Sequence, residues 1–576
     1  MNPKSIPDNE NKVSRRDFIK TSAFAIGALG MASAGGTVLS SILSGCSATG
    51  HFDTIITNGL IYCGDGKAPV EGAVGIKDGK IKAIGEIGNI RNLSRDCKEV
   101  IDAKGMAVSP GFIDIHTHTD TNLLESPLGE SRIYQGITTD IGGNCGDSPF
   151  PYSDACFASK AGTERFGFPF WQDIDGFYNA LRQKGIGINY KSYTGQGQLR
   201  SAVVGDNNVP CTPEQLKKMC DILDREMEMG SLGLSCGLEY APGSYATNQE
   251  IEELCKVVAR HNGLFAIHMR NEDDRVEESV AEAISIARNS GVRLQISHLK
   301  AQNAANWHKA PALIRQIEEA KASGMDIAFD RYPYIAFSTG LTSFIPLDER
   351  QGSSEEVIAR LKNDTKAAQI GKYAESRIAR LGGPQNVLIA ACSNPENAAY
   401  SGKNLEECSK ISGLEVWPVI RKLLISENLG VQIVGFAMKE ENVRLILSHP
   451  LGMPASDGSV YSPEGRLGQE MPHPRSYGTF PRFLGKYVRE DKICDLPTAI
   501  YKCTGLPASR LNLKERGLLK EGYAADIVIF NPDTIIDTAA FDAPHQYPAG
   551  IAHVLVNGNH TINEGNFTGD LCGVIL

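Results

Sequence analysis

His116 and His118 have the spacing of strand residues whose side chains point to one face. They lie in the run 111–120 (GFIDIHTHTD), where Ile113 and Ile115 alternate with polar residues after a Pro-Gly break. Residues two apart in a strand share a side, so the two imidazoles converge. Imidazole nitrogens are common ligands of divalent metals. The spacing therefore predicts a metal site where this strand ends.

Other residues that can bind a metal follow apolar runs elsewhere in the chain. Cys145 lies in a glycine-rich turn after one such run, and His268 and His298 each end another. The run 445–449 (LILSH) opens a stretch that reaches Asp457. A single histidine of this kind is more often a core residue. The recurrence of these residue types at strand ends favours one shared metal site.

The spacing of the apolar runs predicts an α/β fold. Between two β-rich flanks the runs alternate with helical stretches, such as 212–229 and 248–261, which is the pattern of parallel βα units. Eight candidate strands end near His118, Cys145, Thr194, Gly237, His268, His298, Tyr332 and Asp457. Eight such units predict a (β/α)8 barrel, whose chemistry lies at the C-terminal ends of its strands.

The domain boundaries follow from the same pattern. Segments 46–108 and 506–576 carry short strands and turns, and neither offers enough strands for a core alone. We therefore predict one small β-sandwich domain built from both chain ends, with the barrel at 109–505. The seventh and eighth strands are too far apart for one loop, so we predict an inserted subdomain at about 350–395, over the barrel mouth.

The composition is that of a globular enzyme that acts on a small molecule. The 576 residues are 41% hydrophobic and 22% charged, and a net charge of −10 provides no basic surface for nucleic acid. The 14 cysteines are scattered without a CxxC pair, which fits a metalloenzyme better than a disulfide scaffold. No pattern in the sequence predicts an oligomeric state.

Residues 1–45 have the features of a bacterial export signal. Arg15 and Arg16 fit the twin-arginine pattern, and an Ala/Gly-rich segment follows. The tetrapeptide 43–46 (LSGC) resembles the lipoprotein box, which implies cleavage before Cys46 and a lipid on its sulfur. An ordinary signal peptide with an incidental cysteine is the alternative. From these features we expect a periplasmic or membrane-anchored lipoprotein. No later run reaches the ~18 apolar residues of a membrane span, so we expect the tether to be N-terminal.

The order of these residues resembles the amidohydrolase superfamily, and within it the N-acyl-D-amino-acid deacylase (D-aminoacylase) family. The superfamily pattern is HxH on the first strand, single histidines on the fifth and sixth, and Asp on the last. The resemblance covers nearly the whole chain after Phe52. The supporting stretches are 135–146 (QGITTDIGGNCG), 233–246 (GLSCGLEYAPGSYA), 297–300 (SHLK), 331–339 (RYPYIAFST), 473–482 (HPRSYGTFPR) and 550–558 (GIAHVLVNG).

The resemblance implies zinc-dependent hydrolysis of the amide bond of N-acyl-D-amino acids, which yields a carboxylate and a free D-amino acid. In this family a cysteine replaces the carboxylated lysine of many relatives. Cys145, His268 and His298 would hold one tightly bound zinc ion, a residue set typical of catalytic zinc. His116 and His118 would form a second, weaker site.

The resemblance also implies roles for residues around the metal. Asp457 would take a proton from the attacking water and return it to the leaving amine. Lys300, Tyr332, Ser338 and Arg475 match positions that bind the substrate carboxylate, for which arginine is well suited.

One departure and three alternatives accompany this hypothesis. The family usually has a histidine where this chain has Gln196, which cannot carry a proton at neutral pH. D-dipeptides and cyclic amides are alternative substrates. Cyclic amides are less favoured because enzymes that cleave them use a carboxylated lysine, and segment 234–237 has no lysine. A tethered, inactive binding protein would predict the loss of a ligand or of Asp457, and both are present.

Overall fold

The computed structural model describes residues 52–85, 97–153 and 170–576, and within them eight parallel strands pair in chain order. The ring closes between the first and last strands, because Asp457 N donates to His116 O at 2.9 Å and Thr117 pairs in parallel with Gly458. Barrel strands 1 to 8 are Phe112–Asp114, Ile137–Gly142, Asn189–Ser192 with its continuation Thr194–Gly195, Gly233–Gly237, Leu264–His268, Arg293–Ile296, Ile327–Arg331 and Gly452–Pro454. The predicted (β/α)8 barrel is confirmed.

Helices connect the barrel strands and pack apolar faces against them. Leu254 and Val258 of one helix share a buried cluster with Leu234, Phe265 and Leu294 of barrel strands 4, 5 and 6. The helices up to strand 8 are Asn122–Glu125, Glu130–Ile133, Ile174–Lys184, Gln196–Val203, Pro213–Glu228, Asn248–Arg260, Val276–Ser290, Ala310–Ala322 and Glu440–Ser448. Arg475–Arg482, the π-helical Phe483–Glu490, Leu496–Cys503 and Gly505–Arg510 follow it.

The helices predicted at 212–229 and 248–261 agree with the structure within one residue at either end. A reciprocal capping box begins the first of them: Gln215 N donates to Thr212 Oγ1, and Thr212 N donates to the Gln215 side chain. The interpretation of 445–449 as a strand-type run was wrong. It is the end of the helix Glu440–Ser448, and His449 contacts Glu318 instead of the barrel mouth. Short apolar runs do not distinguish strand from helix.

The two chain ends meet in one nine-stranded sheet. Strand Ile527–Phe530 pairs antiparallel with Ala107–Pro110, and both flanks supply buried residues to one cluster, including Ile56, Val74 and Leu555. The strands are Thr54–Ile61, Val70–Lys77, Lys80–Gly85, Glu99–Asp102, Ala107–Pro110, Ile527–Phe530, Ile551–Val556, Asn559–Asn563 and Asn566–Phe567. A small β unit built from both termini is what the sequence predicts.

An inserted subdomain lies between barrel strands 7 and 8. Its strands Ala336–Gly340, Val387–Ala391 and Gln432–Phe436 form an antiparallel sheet, in which Ser338 pairs with Val434. Its helices are Ser354–Lys362, Asp364–Arg380, Leu405–Ser412 and Val416–Ser426. The predicted insertion at 350–395 is too short, because the sheet pairs strands from the two ends of a segment that extends from 336 to 436.

The N-terminal predictions remain predictions. The export signal and Cys46 lie outside the described residues. Among the described helices, none is long and apolar enough to cross a membrane. The cysteines that the structure describes are all free thiols.

A buried ionic network ties the first, second and last barrel strands together. Arg132 Nε donates to Asp140 Oδ2 at 3.0 Å, and its Nη2 donates to Asp114 and to Ser456 Oγ. Asp114 Oδ1 in turn accepts the backbone N–H groups of His116 and Ser456. The four side chains of this network, Arg132, Asp114, Asp140 and Ser456, are fully buried. The guanidinium therefore supports the strand ends that carry His116 and Asp457.

Replacing Arg132 with Met should lower the free energy of unfolding by about 3–5 kcal/mol, because it leaves two buried carboxylates without their counter-ion. Urea unfolding monitored by circular dichroism measures this loss. The matched control is Arg182→Met, since Arg182 lies 3.6 Å from Asp175 with both side chains at least half exposed. That control should cost less than about 1 kcal/mol. Equal losses in the two variants would contradict the role of the buried network.

Candidate metal centre

The metal-ligand residues that the sequence predicts converge on one cavity at the C-terminal ends of the barrel strands. The cavity has a volume of about 700 Å³ and extends from the barrel to the inserted subdomain. His116 lies fully buried beneath its wall. The other predicted site residues line it: His118, Cys145, His268, His298, Lys300, Tyr332, Ser338, Asp457 and Arg475.

Cys145, His268 and His298 form a compact set of metal donors. Cys145 Sγ lies 3.4 Å from His298 Nε2, which lies 3.0 Å from His268 Nδ1. One donor atom from each residue falls within 4.8 Å of the others, and all three residues are buried. One thiolate and two imidazoles at such distances suit zinc, with room for a fourth ligand. The three residues therefore fit the metal that the sequence predicts.

Cys145 also belongs to a second donor set. Its Sγ lies 3.4 Å from His116 Nε2, which is itself 3.4 Å from Asp457 Oδ1, and His118 Nε2 lies 3.0 Å from the same oxygen. These four residues again have donor atoms within 4.8 Å of one another. The thiol is thus shared between two candidate metal positions, of which the second is partly exposed through His118.

Electrostatics at this thiol favour its metal-binding form. Burial alone would raise the pKa of Cys145, but the charges of the neighbouring His116 and His298 outweigh that effect and hold it well below its usual range. Cys236, a buried cysteine on barrel strand 4, has no imidazole among the groups that shift its pKa, and burial raises the pKa of its thiol. Position beside imidazoles distinguishes the candidate ligand from a core cysteine.

Each buried histidine of the centre has a carboxylate behind it. A carboxylate on the ring nitrogen opposite the metal side fixes the orientation of a ligand imidazole and makes it a stronger donor. The three pairs are Asp330 Oδ1 with His116 Nδ1 at 3.4 Å, Glu239 Oε2 with His268 Nε2 at 3.2 Å, and Glu272 Oε1 with His298 Nδ1 at 3.0 Å. No motif in the sequence predicts these acids. Their only sequence signal is proximity to predicted strand ends.

Unusual backbone conformations help to aim three of the site residues. Three residues have positive φ values, in the left-handed region that residues other than glycine rarely adopt: Cys145 (54°), His298 (35°) and Asp457 (50°). The close approach of Gly237 accommodates one of these turns, because a Cβ there would lie 1.9 Å from Cys145 O. The turns at the strand ends thus direct ligand side chains into the cavity.

The predicted carboxylate-binding residues lie in the cavity, but two of them already have partners. Lys300 Nζ lies 2.6 Å from Glu272 Oε2 and 2.8 Å from His298 Nδ1. Arg475 Nη1 donates to Asp457 Oδ2 at 2.7 Å. The Tyr332 hydroxyl is buried and has no partner among the described residues. This hydroxyl is therefore available to donate a hydrogen bond to a ligand.

Asp457 is held as a carboxylate in this arrangement. Burial favours its neutral form, yet the charges of Arg475 and His298 and the hydrogen bonds from the two histidines of the HxH pair outweigh burial, so its pKa lies well below the usual range. An ionised side chain beside the metal donors can accept a proton.

Two residues near the site have environments that the sequence did not explain. Arg331 is fully buried, stacks 4.0 Å from the Tyr332 ring centroid, and donates to Tyr334 O. It therefore supports the face of that ring. Gln196, at the position where a histidine is usual, begins the helix Gln196–Val203, and neither of its buried amide atoms has a partner among the described residues.

Comparison with known proteins places the chain in a family. Residues 99–171 and 432–562 match the model of the amidohydrolase family. D-aminoacylase from Alcaligenes xylosoxydans xylosoxydans is 33% identical over 532 residues, which are 91% of this chain and 97% of that protein. N-acyl-D-glutamate deacylase from the same organism is also 33% identical, over 88% of this chain and 93% of that protein.

Solved structures give the same result. The N-acyl-D-glutamate deacylase of Bordetella bronchiseptica, crystallised with zinc and a phosphonate inhibitor, superposes with a TM-score of 0.76 at 33% identity, over 92% of this chain and 100% of that one. A D-aminoacylase structure superposes with a TM-score of 0.76 at 32% identity, over 91% and 99% of the two chains. The chain therefore belongs to the D-aminoacylase family of the amidohydrolase superfamily.

Proposed function

We propose that this protein is a zinc-dependent deacylase that hydrolyses the amide bond of N-acyl-D-amino acids. The observation that carries the proposal is the convergence of Cys145, His268 and His298 on one face of a cavity that also holds Asp457 and Arg475. Relatives of nearly the same length are D-aminoacylase and N-acyl-D-glutamate deacylase. The products are a carboxylate and a free D-amino acid.

One tightly bound zinc ion would be held by Cys145, His268 and His298, with His116 and His118 as a second, weaker site. A D-aminoacylase of this family is described as activated by one metal and attenuated by a second, which supports one working metal here. Zinc, when bound, supplies a polarised carbonyl and a water whose pKa is lowered towards ~7.

Asp457 is the group placed to move the proton. Its Oδ1 faces both histidines of the HxH pair, while Arg475 holds its other oxygen at 2.7 Å. The carboxylate accepts a proton from the attacking water and passes it to the amide nitrogen, so that the amino acid leaves as an amine. Arg475 keeps the carboxylate ionised and fixes its direction.

The substrate carboxylate would bind on the side of the cavity around Tyr332. Lys300 Nζ and Arg475 Cζ lie 5.7 and 5.0 Å from the centroid of this ring, so the Tyr332 hydroxyl has two cations nearby. An α-carboxylate can accept a hydrogen bond from that hydroxyl and pair with the arginine. Ser338, on the inserted sheet, faces the same cavity and would add a further donor.

Stereoselective hydrolysis tests the proposal. Holding the carboxylate near Arg475 and the carbonyl near the metal donors fixes two substituents of Cα, so inversion exchanges the side chain and hydrogen. We expect kcat/KM for N-acetyl-D-amino acids to exceed that of their L forms by about 100-fold or more. Chelation should remove the activity and zinc restore it. Zinc-loaded protein that cleaves neither form would contradict the proposal and favour D-dipeptides or cyclic amides.

Replacing Asp457 with Asn should lower kcat by about 10²-fold or more while zinc stays bound, because Asn cannot carry the proton. Asn tolerates the positive φ of 50° at this position, so the backbone is preserved. Steady-state kinetics and zinc content measure the two effects. Asp147→Asn is the control, since Asp147 lines the same cavity but belongs to none of the described sets of metal donors. Comparable kcat losses in both variants would remove Asp457 from the mechanism.

We also propose that the twin-arginine signal exports the protein and that Cys46 is lipidated. The support is the sequence pattern of residues 1–46. Labelled palmitate should enter the wild-type protein in its native host and be absent from a Cys46→Ala variant. Equal labelling of both proteins would contradict the lipoprotein hypothesis.

A further inference from the structure

Glu239 connects the inserted subdomain to a predicted metal ligand. It lies just beyond barrel strand 4, and its Oε2 is 3.2 Å from His268 Nε2. Its other oxygen, Oε1, lies 3.5 Å from Nη2 of Arg377 on the inserted helix Asp364–Arg380. Arg350, also from the insertion, donates from Nη1 to the backbone oxygen of Glu239 at 3.1 Å. One side chain thus contacts the barrel centre and the subdomain above it.

The two nitrogens of His268 have separate tasks in this arrangement. Nδ1 lies 3.0 Å from His298 Nε2 and is the candidate metal donor, whereas Nε2 lies 3.2 Å from Glu239 Oε2 and 3.8 Å from Glu272 Oε2. A carboxylate in this position sets the tautomer and orientation of the ligand ring. The Glu239 carboxylate is in turn oriented by Arg377, whose side chain is only 12% exposed to water.

We propose that Arg377 is a positioning residue that acts through Glu239 on His268, so that the inserted subdomain contributes to zinc affinity. This inference rests on the zinc site of the proposed function. Loss of the guanidinium frees Glu239 to move away from His268 and leaves the imidazole with more than one orientation. The coupling is reciprocal, so zinc binding also stabilises the contact between Arg377 and the barrel.

A second arginine on the same helix offers a matched comparison. Arg380 lies one turn beyond Arg377 and pairs with Asp274 at 3.0 Å and Asp273 at 3.5 Å, in the loop after barrel strand 5. Like Arg377, it binds the subdomain to the barrel by an ion pair. Neither of its partners contacts a predicted metal ligand in the described structure.

The test is the zinc dissociation constant of the full chain, measured by competition with a chromophoric chelator. Glu239→Gln and Arg377→Met should each raise it by about 10-fold or more. The zinc dissociation constant of the double variant should rise no further than that of the weaker-binding single variant, because both substitutions break the same connection. Arg377→Lys keeps the positive charge and is the safer variant for folding. Its zinc dissociation constant should lie between those of the wild type and Arg377→Met. Arg380→Met should stay within about twofold of wild type.

Hydrogen exchange provides a readout independent of activity. Adding zinc should increase the protection of segments 237–241 and 373–380 in the wild type, and this gain should vanish in Arg377→Met. If Arg377→Met or Arg377→Lys bound zinc as tightly as the wild type but had a higher KM, the inference would be overturned. Arg377 would then be assigned to substrate binding. Failure of the wild-type protein to bind zinc or to hydrolyse N-acyl-D-amino acids is a separate result that overturns the proposed function itself.

Discussion

Closure of the barrel between its first and last strands is the constraint on which the site depends. His118 and Asp457 are 339 residues apart in the chain, yet their side chains lie 3.0 Å apart. The backbone hydrogen bond from Asp457 to His116 and the salt bridges of Arg132 bring them together. A buried ion pair is costly unless hydrogen bonds accompany it, and here Asp114, Asp140 and Ser456 accept hydrogen bonds from Nε and Nη2 of Arg132. The ring that forms places the HxH pair beside a carboxylate that can move a proton.

The imidazoles and carboxylates around Cys145 form an environment that suits a divalent cation. The thiol lies between two groups of imidazoles, and each buried imidazole has an acidic side chain behind it. A cavity with this arrangement attracts a cation at its floor, while Arg475 and Lys300 attract an anion on its side wall. A substrate with a polarisable carbonyl next to a carboxylate matches both regions. The cavity therefore fits an N-acyl amino acid in two respects, metal and carboxylate.

Local patterns in the sequence predict the barrel and its metal donors, and long-range contacts account for what they miss. His116 and His118 are two residues apart, and His268 and His298 each end an apolar run, so strand periodicity reveals them. Arg132 is different, because its partners come from three strands and no local pattern marks it. The inserted sheet was underestimated for the same reason, since Ser338 and Val434 pair across the whole insertion.

The proposed site is built around sulfur coordination of the metal by Cys145, and X-ray absorption at the zinc edge of the zinc-loaded protein measures that coordination. The zinc-loaded protein should show one sulfur at about 2.3 Å together with nitrogen ligands at about 2.0–2.1 Å. The sulfur shell should disappear in Cys145→Ala and remain in Cys236→Ala, because the Cys236 thiol is buried on barrel strand 4 outside the described metal clusters. A shell of nitrogen and oxygen alone in the wild-type protein would contradict the assignment of Cys145 as the ligand around which the site is built.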